Sequence, residues 1–276
     1  MRHRFNRFEN KYLIAEDQLP QLRHALADHL EPDPHQPEGG ARVESLYFDS
    51  ADLRCYWEKI EGLKFRRKVR IRRYGDGYAQ WDSPVTVEVK QRVNRVTQKR
   101  RLELKFGEAL ALCDVTGDSA GIRLGADALR DSVGAEHHSL LAEVEAMVTS
   151  YQLRPIATTS YMREAYFGRD AETGIRVTFD HNVCGRDRDF LLGSSEADVP
   201  TVPVGMCVME IKADERLPLW LTDLTARYGL DIVRMSKYCQ TIEAFKQRPA
   251  SASGAVDPIF DADRRALTHT APALTF

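Results

Sequence analysis

A regular alternation of apolar and charged residues is the feature that most constrains the fold of this chain. Within residues 65–72, Val69 and Ile71 alternate with four cationic side chains, and within residues 85–92 three valines alternate with Thr, Glu, Lys and Arg. Successive side chains of a β-strand point to opposite faces, so each segment predicts a strand with one apolar and one charged face. The same alternation occurs at residues 7–12, 175–180 and 207–212.

Such strands can be arranged in two ways. An antiparallel sheet can expose one face to water, which explains any one of these strands taken alone. The sheet can also close into a barrel with its charged faces inward, which makes a basic channel that contains a few carboxylates. Arg and Lys dominate the charged faces, whereas a solvent face also accommodates Ser, Thr and Gln, and this excess favours the channel. Because guanidinium groups hold phosphate oxygens through paired hydrogen bonds, the channel predicts a chain of phosphates as its ligand.

Segments with helical periodicity separate these strands without a strict strand–helix alternation, which favours an α+β fold. We expect an antiparallel β-barrel with its helices packed on the outside, and the helical region of residues 107–151 is assigned to that outer layer. The domain is predicted to cover residues 1–247, and residues 248–276, which lack periodicity, are predicted to form a flexible tail. The predicted strands are residues 4–14, 42–49, 64–74, 85–92, 96–103, 158–167, 175–182 and 206–213, and the predicted helices are residues 17–30, 51–60, 139–151 and 217–228.

The net charge conceals how the charges are distributed. The chain has 39 Lys and Arg against 41 Asp and Glu, yet residues 64–105 contain fourteen Lys and Arg and four Asp and Glu. Such clustering favours a polyanionic ligand, although a solvated charged surface is the other interpretation. The cations alternate with an apolar face and no aromatic platform accompanies them, so nucleic acid is not expected as a partner. The sequence also lacks a P-loop motif.

Three further features bear on location. No segment reaches the ~18 consecutive apolar residues of a membrane span. The N-terminal residues lack the apolar core of a secretory signal. The five cysteines are scattered, without the pairing expected of a disulfide framework or a zinc site. Together these features predict a cytoplasmic protein that does not itself span a membrane.

Several motifs resemble the VTC domain, the polyphosphate polymerase domain of the vacuolar transporter chaperone type, within the triphosphate tunnel metalloenzyme or CYTH superfamily. They follow the family order across roughly residues 4–245, and the Glu-x-Lys spacing at residues 88–90 and 210–212 is part of the resemblance. The motifs are Phe-Glu-Asn-Lys-Tyr (8–12), Ser-Leu-Tyr-Phe-Asp-Ser (45–50), Val-Arg-Ile-Arg-Arg-Tyr-Gly (69–75), Val-Glu-Val-Lys-Gln-Arg (87–92), Ser-Tyr-Met-Arg-Glu-Ala-Tyr (160–166), Ile-Arg-Val-Thr-Phe-Asp (175–180), Met-Glu-Ile-Lys (209–212) and Met-Ser-Lys-Tyr (235–238).

The resemblance implies an antiparallel β-tunnel that binds a nucleoside triphosphate or polyphosphate. It implies catalytic roles for Arg70, Arg72, Lys90, Arg163, Arg176 and Glu210. It implies phosphate-binding roles for Lys11, Lys99, Tyr161, Lys212, Ser236 and Lys237. Glu210 would bind a divalent cation, Mn²⁺ or Mg²⁺, with Glu88 as a second candidate. Glu88 could instead neutralise neighbouring arginines, and Asp180 could be a structural partner of Arg176 or Thr178.

The implied reaction is transfer of the γ-phosphate of ATP onto the end of an inorganic polyphosphate chain. Its acceptor is already an oxyanion, so the reaction requires no general base. With water as the acceptor, the same tunnel would be a metal-dependent triphosphatase or polyphosphatase, and without turnover it would be a polyphosphate-binding module. Export of the product would require a separate membrane protein, and such a partner would place the chain at the inner face of a membrane.

Overall fold

The computed structural model describes most of the chain. Residues 248–276, where the tail is predicted, and residues 4–7 of the first predicted strand lie outside the described residues. The described residues are 8–94, 96–113, 127, 129–172, 174–195, 197–214 and 216–246.

The described chain is organised around one antiparallel sheet. Its strands follow the order β1-β10-β8-β7-β3-β4-β5-β6, while β2 pairs with β7 and β9 pairs with β8. Every strand pair is antiparallel, as predicted. The strands are β1 (Phe8–Ala15), β2 (Leu30–Pro32), β3 (Ala41–Asp49), β4 (Phe65–Tyr74), β5 (Pro84–Val93), β6 (Val96–Lys105), β7 (Arg154–Gly168), β8 (Ile175–Arg186), β9 (Val199–Pro200) and β10 (Met206–Ala213).

The helices largely follow the predicted pattern, with two corrections. The first helix, predicted over residues 17–30, begins after a 3-10 turn at Glu16–Gln18 and ends at Leu26, because the backbone of Leu30–Pro32 pairs with β7 instead. The last helix was not predicted. The helices are α1 (Leu19–Leu26), α2 (Arg54–Ile60), α3 (Phe106–Leu112), α4 (His138–Tyr151), α5 (Leu219–Arg227) and α6 (Lys237–Lys246).

The apolar faces of the strands are covered by helices. Val69, Ile71 and Val87 are completely buried in one cluster with residues of α3 and α4. Val177 and Met209 are completely buried in a second cluster with residues of α1 and α5. Full burial of such side chains contributes roughly 1.5–3 kcal/mol each, so the helical layers stabilise the outer side of the sheet and leave its charged side facing inward. The α+β class with outer helices is therefore confirmed.

The sheet curls toward a tunnel, but its backbone ladder does not close in the described part of the chain. The hydrogen-bonded order runs from β1 to β6 without pairing those two strands. The two ends of the sheet nevertheless approach each other, because Lys90 Nζ on β5, the strand next to the β6 edge, lies 3.6 Å from Glu9 Oε2 on β1. The expected closed barrel is thus a tunnel-like sheet whose two ends are bridged by side chains rather than by backbone hydrogen bonds.

Candidate functional site

The strand register gathers the charged faces on the inner side of the sheet. Lys11 on β1 lies opposite Glu210 on β10. Arg70 on β4 lies opposite Glu88 on β5, and Lys90 lies opposite Lys99 on β6. Side chains two residues apart on a strand share a face, so these pairs extend along the same inner surface.

Glu210 contacts four cationic side chains. Its Oε1 lies 3.2 Å from both Lys11 Nζ and Lys237 Nζ, and its Oε2 lies 2.9 Å from Lys212 Nζ and 3.7 Å from Arg163 Nη2. Burial alone would raise the pKa of Glu210, but Lys212, Lys237 and Lys11 lower it well below its usual range. Glu210 is therefore a permanent anion that holds four cations at the centre of the tunnel.

Asp180 forms a second buried acidic centre next to Glu210. It accepts two hydrogen bonds from the Arg163 guanidinium, at 2.6 Å and 2.7 Å, and a third from Lys237. Burial alone would raise the pKa of Asp180, and Arg163 and Lys237 lower it. Asp180 thus pairs with Arg163 and Lys237, which corrects the expectation that its partner is Arg176 or Thr178.

Glu88 forms a third acidic centre, on the opposite part of the sheet. Its Oε2 accepts a hydrogen bond of 2.7 Å from Arg70 Nε, and its Oε1 accepts one of 2.8 Å from Lys99 Nζ. Burial would raise the pKa of Glu88, but Arg70, Arg72 and Lys99 lower it to about 2. Glu88 therefore neutralises neighbouring cations in this structure, which is one of the two roles that the sequence left open.

Two tyrosines orient the arginines of β4. Tyr161 Oη accepts a hydrogen bond of 3.1 Å from Arg72 Nη2, and its ring lies beneath the Lys237 ammonium at 4.6 Å. Tyr47 Oη accepts a hydrogen bond of 2.8 Å from Arg70 Nη1. These contacts fix the guanidinium planes, so bound phosphates would meet preorganised donors.

Lys90 lies at the edge of the group of charged residues around Glu210, Asp180 and Glu88. Its side chain is 46% exposed, and Glu9 is its ion-pair partner. Removal from bulk water lowers the pKa of Lys90 to about 8, with Lys11 and Arg70 adding to the effect and Glu9 opposing it. The Lys90 ammonium therefore loses its proton at a lower pH than a lysine in water.

The remaining predicted residues lie at the periphery. Arg176 is opposite Lys212 in the register, and its guanidinium lies 3.7 Å from Asp33 and 5.1 Å from the centroid of the Phe167 ring. Ser236 directly precedes α6, and its carbonyl accepts the first helical hydrogen bond from Gln240. The structure therefore places these two beside the cluster, while it brings together Lys11, Arg70, Arg72, Glu88, Lys90, Lys99, Tyr161, Arg163, Glu210, Lys212 and Lys237.

The predicted site residues did not include three residues of the tunnel, Glu9, Tyr47 and Asp180. Glu9 contacts Lys11 and Lys90, and Tyr47 contacts Arg70. A signal for Glu9 was present, because residues 9–11 repeat the Glu-x-Lys spacing of residues 88–90 and 210–212. The role of Tyr47 depends on strand pairing and has no comparable local signal.

The donor set for a divalent cation is limited. The described residues contain no group of three or more His, Cys, Asp and Glu side chains that could hold a metal ion. Mg²⁺ typically uses one or two carboxylates and takes its other ligands from water and substrate phosphates. Glu210 fits that mode of binding, because phosphates that draw the lysines away would release its oxygens for a cation.

Comparisons with known proteins found a matching family model and curated relatives. The family model described as "VTC domain" matches residues 6–246. Vacuolar transporter chaperone complex subunit 4 of Trypanosoma cruzi (strain CL Brener) is 28% identical over 224 residues, or 74% of this chain, and its Trypanosoma brucei brucei counterpart is 25% identical over 227 residues. The chain spans 28% of the length of each relative.

A solved structure of a Bacillus halodurans protein has a more distant similarity. It is 15% identical, with a TM-score of 0.44, and the match covers 83% of this chain and 92% of that chain. A similarity at this level is too slight to support an inference about function.

Proposed function

Because this chain belongs to the VTC domain family, we propose that it is a polyphosphate polymerase that transfers the γ-phosphate of ATP onto a growing inorganic polyphosphate chain. The observation that carries the proposal is the excess of cations over carboxylates inside the tunnel. Glu88, Asp180 and Glu210 each contact at least two cations, as Glu88 contacts Arg70 and Lys99. A chain of phosphates supplies the anionic oxygens that such a surface lacks.

The arginines would align the reacting phosphates. Phosphoryl transfer depends on positioning and charge neutralisation more than on covalent help from the protein. Arg70, Arg72 and Arg163 are preorganised by Tyr47, Tyr161 and Asp180. Lys11, Lys212 and Lys237 would exchange their contacts with Glu210 for contacts with phosphate oxygens, so that binding replaces one anion with another.

Glu210 would hold the divalent cation, Mn²⁺ or Mg²⁺, and Glu88 is the second candidate. When bound, the cation would neutralise charge on the phosphate oxygens. The carboxylate is suited to this role because the lysines around it keep its pKa well below the usual range. Glu210 is thus available as an anionic ligand at neutral pH.

The same carboxylates favour a phosphate acceptor over water. A hydrolase requires a group that positions or deprotonates water, and a carboxylate with a strongly lowered pKa is a weak base. Neighbouring cations lower the pKa of Glu9 and Glu88 to about 2, although burial alone would raise it. The terminal phosphate of a polyphosphate chain is already an oxyanion and needs no such base.

Purified protein incubated with ATP and Mn²⁺ or Mg²⁺ tests the proposal, with products resolved by gel electrophoresis and ³¹P NMR. We expect long phosphate chains and ADP, both lost in the Glu210→Ala and Arg70→Ala variants. Arg227→Ala is the matched control, because Arg227 is exposed on α5 outside the tunnel. Orthophosphate without chains would indicate a hydrolase, and binding of polyphosphate without turnover would indicate a binding module.

The proposed partners are ATP and inorganic polyphosphate, together with a separate membrane protein for export of the product. In the described part of the chain, no helix is long and apolar enough to cross a membrane. The relatives are named as subunits of a complex. A cytoplasmic location at the inner face of a membrane, reached through such a partner, is part of the same proposal.

A further inference from the structure

Like charges face each other at one end of the tunnel. In the register of β4 and β5, Arg66 lies opposite Arg92 and Lys68 lies opposite Lys90. Like charges directly opposite each other on a sheet are destabilising. Two consecutive pairs of this kind therefore cost stability in the absence of a ligand, and an anion that binds between them would relieve the repulsion.

A residue of α2 joins this cluster. Burial lowers the pKa of Lys59, and the charges of Arg66, Lys68 and Arg92 lower it further. These four residues (Lys59, Arg66, Lys68 and Arg92) are called the rim cluster below. Its members come from three separate elements, α2, β4 and β5, so their convergence is a property of the fold and not of one charged segment.

The rim cluster lacks the carboxylate partners found at the tunnel centre. Arg66 donates to the carbonyl oxygen of Leu63, Arg92 donates to that of Asn94, and Lys68 Nζ lies 4.5 Å from the centroid of the Tyr238 ring. Among the described residues, no Asp or Glu oxygen lies within 4.0 Å of a charged nitrogen of the rim cluster. The cations of the centre have carboxylate partners, and those of the rim cluster do not.

The rim cluster is continuous with the tunnel centre. Residues 66, 68, 70 and 72 share one face of β4, with about 6.6 Å between successive members. Arg70 and Arg72 belong to the centre through Glu88 and Tyr161. The strand therefore presents one row of cations from the central acids to the end of the tunnel where the β5–β6 hairpin turns.

We propose that the rim cluster is a second polyanion-binding site that holds the polyphosphate product as it leaves the tunnel. This inference rests on the proposed function, and it adds a site beyond the central phosphates. A short ligand such as tripolyphosphate fills the centre, whereas a long chain reaches the rim cluster as well. The site thus distinguishes long chains from short ones.

The phosphate groups of an anionic membrane are a second type of candidate ligand for the cations of the rim cluster. Trp57, Ile60 and Phe65 are exposed near the rim cluster, with 45%, 48% and 49% of their surfaces accessible. Arg66, Lys68 and Arg92 nevertheless lie on the inner face of β4 and β5, in line with the tunnel and not with the outer surface. We therefore assign the site to polyphosphate and make membrane binding an outcome of the test.

The test compares the affinities of the full chain for long-chain polyphosphate and tripolyphosphate, without ATP. In the Arg66→Gln/Arg92→Gln double variant, we expect long-chain affinity to fall about tenfold more than tripolyphosphate affinity, which corresponds to about 1.4 kcal/mol. Arg216→Gln/Arg227→Gln removes two exposed charges outside the tunnel and is the matched control, with affinities close to wild type. Thermal unfolding of both double variants verifies that they are folded.

Equal losses for the two ligands, or no loss, would overturn the proposal. Loss of binding to vesicles of phosphatidylserine and phosphatidylcholine, with long-chain affinity retained, would assign the cluster to a membrane and overturn it as well. Because the assay needs no turnover, its result is independent of whether the protein is a polymerase. A chain that fails to synthesise polyphosphate could still discriminate long from short ligands through the rim cluster.

Discussion

Single side chains in the tunnel carry several ion pairs each, and Glu210 is the clearest case. Its carboxylate faces Lys11, Lys212, Lys237 and Arg163, and only 7% of the residue is exposed. Removal of one partner from a buried ion pair leaves the other charges uncompensated, at a cost of about 3–5 kcal/mol. Glu210 is therefore expected to stabilise the folded protein when no phosphate is bound, and to bind a cation when phosphate is bound.

Glu210→Gln is expected to lower the free energy of unfolding by about 3 kcal/mol in the absence of phosphate, because glutamine preserves the shape and removes the charge. Added tripolyphosphate should restore much of the loss, since its oxygens compensate the same cations. Urea unfolding with and without tripolyphosphate measures both effects. Glu61→Gln, at an exposed position, is the control, and equal stability of Glu210→Gln and wild type would contradict the expectation.

Phosphate affinity is expected to fall as the pH rises through about 8. The pKa of Lys90 is lowered to about 8, chiefly by removal from bulk water, so its ammonium loses its proton above that pH and no longer attracts phosphate. Burial alone would raise the pKa of Tyr47, but Arg70 and Arg72 lower it to about 8, so a repulsive phenolate forms over the same range. The loss of the Lys90 charge and the formation of the Tyr47 phenolate both weaken phosphate binding as the pH rises.

Titration calorimetry with tripolyphosphate from pH 7 to 9 would measure this dependence (the range brackets the lowered pKa values). Lys90→Arg keeps its charge throughout and should weaken the dependence, and Lys90→Arg/Tyr47→Phe should weaken it further. Protonation of tripolyphosphate itself changes with pH in the same way for the wild type and the double variant. If the two proteins showed the same dependence of affinity on pH, neither Lys90 nor Tyr47 would be the source of that dependence.

At the scale of elements, α6 contacts the tunnel through Lys237 and Tyr238. Tyr238 stacks on Tyr47 with 5.1 Å between ring centroids, and its hydroxyl donates to the Asp49 carboxylate. The helix begins with Lys237, so its docking decides where that ammonium lies relative to Asp180. A disturbance of the helix that leaves Lys237 itself unchanged should therefore affect phosphate binding.

Gly185→Ala provides such a disturbance. A Cβ at this position of β8 would lie 2.2 Å from Thr241 Oγ1 and 2.6 Å from Thr241 Cγ2, so α6 must shift. We expect a loss of about 1–3 kcal/mol in the free energy of unfolding, as for other overpacked cores, together with weaker tripolyphosphate binding. Thr241→Ala in the same chain should recover part of both. Full affinity in Gly185→Ala would show that α6 does not position Lys237.

The elements that could be predicted are those with local periodicity. Alternation revealed the long strands, because one face of each is buried and the other is charged. By contrast, α6 has ten residues, and isolated helices of that length are marginal. Its stability comes from the packing of Tyr238, Cys239 and Ile242 against residues distant in sequence. The two- and three-residue strands β9 and β2 likewise exist only through their partners β8 and β7.

At the scale of the whole molecule, the sequence predicted which residues face inward but not which of them meet. Residue parity assigns Lys11 and Glu210 to the charged faces of separate strands, yet their contact at 3.2 Å depends on strand order and register. The contact between Lys90 on β5 and Glu9 on β1 bridges the two ends of the sheet and has no local signature. The fold is therefore needed to identify which of these residues contact each other. The sequence alone is enough to identify the charged residues that line the tunnel.

The whole tunnel is expected to gain stability when phosphates bind. A ligand that binds only the folded state stabilises it by RT ln(1 + [L]/Kd), so Tm should rise with tripolyphosphate concentration. Salt should reduce the gain, since the Debye length shortens from about 10 Å at 0.1 M to about 3 Å at 1 M. Calorimetric scans at the two salt concentrations measure this. A shift in Tm that is insensitive to salt would argue against binding by the charged faces.

The polymerase assignment is tested most directly by following where the γ-phosphate of ATP goes. Protein, Mn²⁺, unlabelled polyphosphate and γ-labelled ATP are incubated together, and the label in chains and the ADP released are counted. We predict labelled chains with one ADP for each phosphate incorporated, no label in chains when the α-phosphate is labelled instead, and loss of incorporation in Arg70→Ala. Label recovered as orthophosphate, with none in chains, would contradict the assignment.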